Sequence, residues 1–116
     1  MTIQQFKTKL KTQPTEIKFA ETMQIIKENY NFTQTAFTNG NIKNNPEENS
    51  GSCKVFSFAI HQQLSEKETL FCFGEHYSTV LKDANGTSHQ NIRNFIQSRF
   101  NGLSFKDEPL KLKSKT

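Results

Sequence analysis

The chain has 116 residues and a formal charge of +4, with 33% hydrophobic residues, eleven phenylalanines and no tryptophan. That length is one domain's worth, and phenylalanine supplies the bulk that a low apolar fraction would otherwise deny the core. No run approaches the ~20 apolar residues of a membrane span, which argues against a membrane protein, and two arginines, Arg93 and Arg99, are too few for a nucleic-acid face.

In chain order, Thr2 and Gln5 have the spacing of a capping box, and Ile3, Phe6 and Leu10 follow at helical intervals. Pro14 restarts the chain, because its missing N–H costs nothing in a first helical turn, and Glu16 suits the dipole there. Phe19, Met23, Ile26 and Tyr30 then form the apolar stripe of a second helix. Residues 33–38 read as a strand, Asn39-Gly40 as a turn, and "NNPEENSGS" as an exposed loop. Residues 53–60 fit either a strand, through the alternation of Phe56, Phe58 and Ile60, or a helix, and the absence of turn chemistry before Ser65 favours the helix. Ser65 and Glu68 form a second capping box, which predicts one helix to about Lys82 with Leu70, Phe73, Tyr77, Val80 and Leu81 inward.

Residues 83–86 make a turn, and Ser88 or Thr87 is expected to cap a last helix with Ile92, Phe95, Ile96 and Phe100 inward. Gly102 stops it, and residues 103–106 are expected to pair with the strand at 33–38. The fold class that results is α+β and predominantly helical, with about five helices and a small sheet of short strands. Residues 1–106 form one domain, and 107–116 are expected to be a basic, fraying tail. The basic excess sits at the two ends, where Lys7, Lys9, Lys11 and Lys18 face Glu16 alone, and its plain reading is solvated surface. The N-terminus lacks the apolar run of a secretory signal, so the expected compartment is the cytoplasm, with Cys53 and Cys72 reduced.

The segment "GTSHQNIRNF" at 86–95 gathers most of the polar chemistry. His89 and Arg93 lie one helical turn apart at the edge of the core, while Asn91 and Asn94 point elsewhere. Their plain reading is a capped helix start, with Arg93 paired to a carboxylate. Their functional reading, together with Asn39, is a polar site that offers N–H groups, an imidazole and a guanidinium to a protein partner or a small anionic ligand. Cys72 and His76 have the spacing of two metal ligands on a helix, but zinc needs two more and no Cys-x-x-Cys or His-x-x-x-His pair exists, so no metal or cofactor is called for. Cys53, in "GSCK" at a helix start, is a candidate reactive thiol, since the dipole and Lys54 would lower its pKa, although no base lies near it in sequence. Glu47 and Glu48 sit in a loop, and Glu66 and Glu68 read as cap residues rather than a hydrolytic pair.

The ordered segments "TQPTEIKFAETMQII", "TAFTNG", "GSCKVFSFA", "LSEKETLFCFGEHY" and "GTSHQNIRNF" resemble those of the HopJ type III effector family, over residues 3–106. The resemblance implies a compact bacterial α+β domain, and the family name implies delivery into a host cell by a type III secretion system. It brings no catalytic residues. The expected function is therefore a small bacterial binding or regulatory domain without catalysis. The alternatives are a translocated effector acting on a host protein and an enzyme using Cys53 or Cys72.

Overall fold

A computed structural model describes residues 1–113 and places five α-helices and five short strands around a sixth, largely buried helix. Residues 114–116, the end of the expected tail, lie outside the described residues. Helix α1 (Ile3–Thr12) starts on the Thr2–Gln5 capping box, with both reciprocal hydrogen bonds made. Pro14–Glu16 is a single 3-10 turn rather than the start of the next helix, and α2 runs Phe19–Asn29. Strand β1 (Tyr30–Phe32) follows directly, so Tyr30, the last residue of the expected stripe, is the first strand residue.

Strands β2 (Phe37–Asn39) and β3 (Ile42–Asn44) form a hairpin in which Asn39 pairs with Ile42. The loop is therefore Gly40-Asn41, one residue later than the Asn39-Gly40 turn expected. Gly40 has φ +62°, a backbone conformation that costs glycine little. Strand β4 (Leu103–Phe105) joins the other edge of β2 antiparallel, with Phe37 opposite Phe105 and their rings stacked 5.5 Å apart. The partnership is the one expected, but the strand expected over 33–38 is displaced to 37–39, and residues 33–36 have no regular structure.

Helix α3 (Ser50–Gln62) is the centre of the molecule. Residues two apart on a helix point to nearly opposite sides. Phe56 packs on Phe37, Phe73 and Phe95, while Phe58 packs on Phe6 and Tyr30. Val55, Phe56, Phe58 and Ala59 are all fully buried. The unbroken buried run from Val55 to Ala59 blurs the contrast between faces, although Ser50, Lys54, Ser57 and His61 fall at helical spacing on one side, and this is why the sequence also read as a strand.

The helix expected over 65–82 is two helices, α4 (Glu66–Phe71) and α5 (Glu75–Lys82). The Ser65–Glu68 box starts α4 as predicted. The break falls at Gly74, with φ +58°, where an added Cβ would stand 2.4 Å from the backbone nitrogen of Phe19. Breaking there lets the chain pass against the start of α2 and resets the phase of α5. Tyr77 and Val80 remain buried, but Leu81, expected inward, is exposed.

Helix α6 (Gln90–Ser98) buries Ile92 and Phe95, leaves Phe100 half-buried beyond its end, and exposes Ile96. Part of the segment expected to be tail takes up regular structure. Strand β5 (Leu110–Leu112) pairs antiparallel with β1, and Leu110 is fully buried in the core. Burying one leucine contributes about 2 kcal/mol, enough with three ladder positions to hold a short segment that its lysines had marked as tail.

Candidate functional site

The starts of α3 and α6 converge on a cleft of about 460 Å³. Asn49 and His89 occupy the N-cap positions, both in the left-handed region (φ 53° each), and no side chain caps either helix. Ser88 and Thr87 therefore do not cap α6 as expected. The Thr87 carbonyl instead accepts from the Gln90 side chain. The first intrahelical bonds run from Cys53 N–H to Asn49 O (3.0 Å) and from Ile92 N–H to His89 O (3.0 Å). The N–H groups before them, at Gly51 and Ser52 and at Gln90 and Asn91, have no intrahelical acceptor, and these four residues line the cleft.

Two imidazoles close one side. The rings of His76 and His89 lie 4.9 Å apart, and Phe19 meets His76 edge-on at 4.8 Å. His89 is held below its ordinary pKa, first by burial of part of the ring, then by the charges of His76 and Arg93. Ile42, Phe73 and Ile92 supply apolar wall. Glu75, beside His76, is not among the residues that line the cleft. Its carboxylate accepts the Phe19 N–H at 2.7 Å, and this hydrogen bond holds its pKa below the carboxylate norm.

Behind the cleft is a network of asparagine side chains. Asn91 Nδ2 donates to Asn44 Oδ1 (3.0 Å), and Asn44 Nδ2 reaches back to Asn91 Oδ1 (3.4 Å). Asn39 Nδ2 donates to the Asn91 carbonyl (2.8 Å) and to its Oδ1 (3.0 Å). Asn49 Nδ2 joins through Asn44 Oδ1 (2.7 Å), and Asn94 Nδ2 donates to the Asn39 carbonyl. Asn39, Asn44 and Asn91 are buried. Asn39 Oδ1 is buried with no protein hydrogen bond among the described residues. Turning that amide over would remove both of its donations to Asn91, so the orientation is fixed by the stronger demand.

Of the residues singled out in the sequence, His89 and Asn91 line the cleft, while Asn39 and Asn94 hold α6 to the β2–β3 hairpin. Asn91 does not point away, as its place beside the helix cap suggested. It is turned into the asparagine network. The Arg93 guanidinium is engaged inside the fold, donating to the carbonyls of Asp83 (2.7 Å) and Ser88, with the Asp83 carboxylate at 4.0 Å. That is the carboxylate pairing expected of it, and it takes Arg93 away from any ligand. Asn49, Ser52, His76 and Gln90 were not read as members of one site. The one signal any of them gave was the small, polar "NSGS" at 49–52, the N-cap and first turn of α3, with no box residue three positions after Asn49.

The thiols do not behave as the helix-start reading of Cys53 required. Cys53 is 2% exposed, and burial pushes its pKa up to about 11, against a smaller lowering by Lys54. Cys72 is fully buried and raised further, by burial and by Glu68. It lies in the break between α4 and α5, where its carbonyl accepts from Thr22 Oγ1 (2.7 Å), so it does not share a helix face with His76. Among the described residues no three His, Cys, Asp or Glu side chains gather as metal ligands.

Fold and cleft together define a small α+β domain, helices packed round a buried central helix, with one polar cleft at two helix starts. The model of the HopJ type III effector protein family matches residues 3–110, and the chain belongs to that family. The match extends to Leu110, the buried residue of β5. A crystal structure of a protein of unknown function, VPA0580, is 44% identical, with a TM-score of 0.94 over 97% of this chain and 95% of that one. No curated protein matches the chain. No described helix is long and apolar enough to cross a membrane.

Proposed function

We propose that this HopJ-family domain is a non-catalytic binding module that takes a small anionic ligand with a flat apolar body in the cleft between α3 and α6. The observation that carries the reading is the convergence of two uncapped helix starts with the His76–His89 pair on one cleft of about 460 Å³. Helix N-termini offer N–H donors and positive partial charge, and an imidazole adds a further N–H donor, with full positive charge once an anion draws a proton onto it. Phe19 and Phe73 give a ring of the ligand something to pack on. Both thiols are too buried and too weakly acidic to serve as nucleophiles, which leaves the cysteine-enzyme alternative without support.

The test is a titration of the full chain with phenyl phosphate beside phenol, read by amide and imidazole NMR shifts. Phenyl phosphate is expected to move Gly51, Ser52, Gln90 and Asn91, and the His76→Ala/His89→Ala variant to bind about tenfold more weakly with its melting temperature nearly unchanged. Shifts spread over the surface, or equal binding of phenol, would sink the reading.

The family name favours a second reading about place, in which the domain is exported by a type III system and meets its ligand or a protein partner inside a host cell. The alternative is residence in the bacterial cytoplasm. A translocation reporter fused to the full chain decides between them: signal in host cells that depends on the secretion apparatus supports export, and signal confined to the bacterium supports residence.

A further inference from the structure

A second large hollow, of about 620 Å³, lies on the other side of Phe19, between α2, β1 and the start of α3. Its volume is that of an ordinary small-molecule site. Met23 from α2 and Tyr30 and Phe32 from β1 make it apolar. Its charges are all of one sign: Lys27, Lys54 and Lys113 border it, and no Asp or Glu does. None of the three lysines forms an ion pair among the described residues. The Lys54 ammonium stands 4.8 Å above the Phe32 ring, so cation and apolar surface are presented side by side. Lys113 is fixed at the rim by its own backbone, whose N–H donates to Asn29 O at 2.9 Å.

Like charges gathered at an apolar surface repel one another, and an anion relieves that repulsion while its apolar part covers the surface. We propose that this hollow binds an amphipathic monocarboxylate, with its alkyl or aryl body against Met23 and Phe32 and its carboxylate toward Lys27, Lys54 and Lys113. The site is separate from the histidine cleft and stands whether or not that cleft binds an anion. Charge selects the ligand, because a neutral or cationic molecule with the same body leaves the lysines unrelieved.

The experiment is an NMR titration of the full chain with decanoate, decan-1-ol and decyltrimethylammonium, each up to about 1 mM. Decanoate is expected to move the signals of Met23, Phe32 and Lys54, and to bind at least about tenfold more tightly than the alcohol. The Lys27→Gln/Lys54→Gln variant should lose that preference and keep the alcohol's affinity, and Lys27→Arg/Lys54→Arg should retain it. Equal affinity for the three probes, shifts that map elsewhere, or an unchanged preference in the glutamine variant would overturn the proposal. All the substituted side chains are on the rim, so an unchanged melting temperature shows that the fold survives the change.

Discussion

The starts of α1 and α4 differ from those of α3 and α6 both in chemistry and in what they face. Thr2 and Ser65 close their helices with complete capping boxes, and all four box residues are exposed or half-buried at the surface. Asn49 and His89 stand at their N-cap positions in a left-handed conformation, without a side-chain cap, and their first turns line the cleft. A capping box spends the first-turn donors on the chain itself, whereas an open start leaves them for something else. The comparison separates helix starts closed by their own side chains from helix starts left open toward the cleft, and the proposed binding role of the open pair can be broken at several points.

The largest effect is expected behind the open start of α6. Asn91→Ala removes the side chain that joins two buried amides, leaving Asn39 only the Asn91 backbone carbonyl and Asn44 without its exchange of hydrogen bonds with Asn91, and should cost about 2 kcal/mol in denaturant unfolding. It should also weaken phenyl phosphate binding by releasing α6 from the β2–β3 hairpin. An Asn91→Ala protein as stable as wild type would show that the asparagine network is not what fixes this start.

Smaller and opposite in kind is the effect at the boxed starts. Ser65→Ala and Thr2→Ala should each lose about 1 kcal/mol of stability and leave binding in the cleft untouched. Chemical denaturation and the same NMR titration check both halves. A change in affinity would break the division between the two kinds of start.

The smallest effect concerns pH. The His89 pKa is lowered in the fold, so the neutral form is favoured there. Its contribution to stability is complete above the ordinary value of 6.5 and is lost as pH falls through its lower folded value. His89 is mostly exposed, so the loss should be a shallow decline in melting temperature at mildly acid pH, absent in His89→Ala. Benzenesulfonate, whose charge does not change over this range, should bind more tightly as pH falls, because it favours the protonated ring. Affinity independent of pH would remove His89 from the anion's contacts.

Much of the architecture was legible before the structure. The two capping boxes and the existence of α2 rest on neighbours close in sequence, and simple alternation marked the two strand regions that pair. The first strand nevertheless forms at 37–39 rather than 33–38, and α2 buries Thr22, Ile25 and Ile26 while Phe19 and Met23 stay half-buried. The cleft was only half legible. His89 and Asn91 stood out because they crowd one short segment, but His76 and Asn49 come from different elements and carry no signal of meeting. The same limit explains Arg93, whose acceptors at Asp83 and Ser88 lie in a turn that sequence cannot orient.

By itself, the sequence determined which segments become helices where local donors and apolar spacing agree, and it determined a core rich in phenylalanine, because phenylalanine is its commonest large apolar residue. Only the tertiary structure decided the break at Gly74, the pairing of Leu110–Leu112 with β1, the burial of both thiols and the meeting of two open helix starts. Each of those depends on a contact between residues far apart in the chain. Phe19 requires the backbone to bend at Gly74, and the core closes over Leu110 and Cys53. Local propensity is worth tenths of a kcal/mol per residue, and burial of a single large side chain outweighs it.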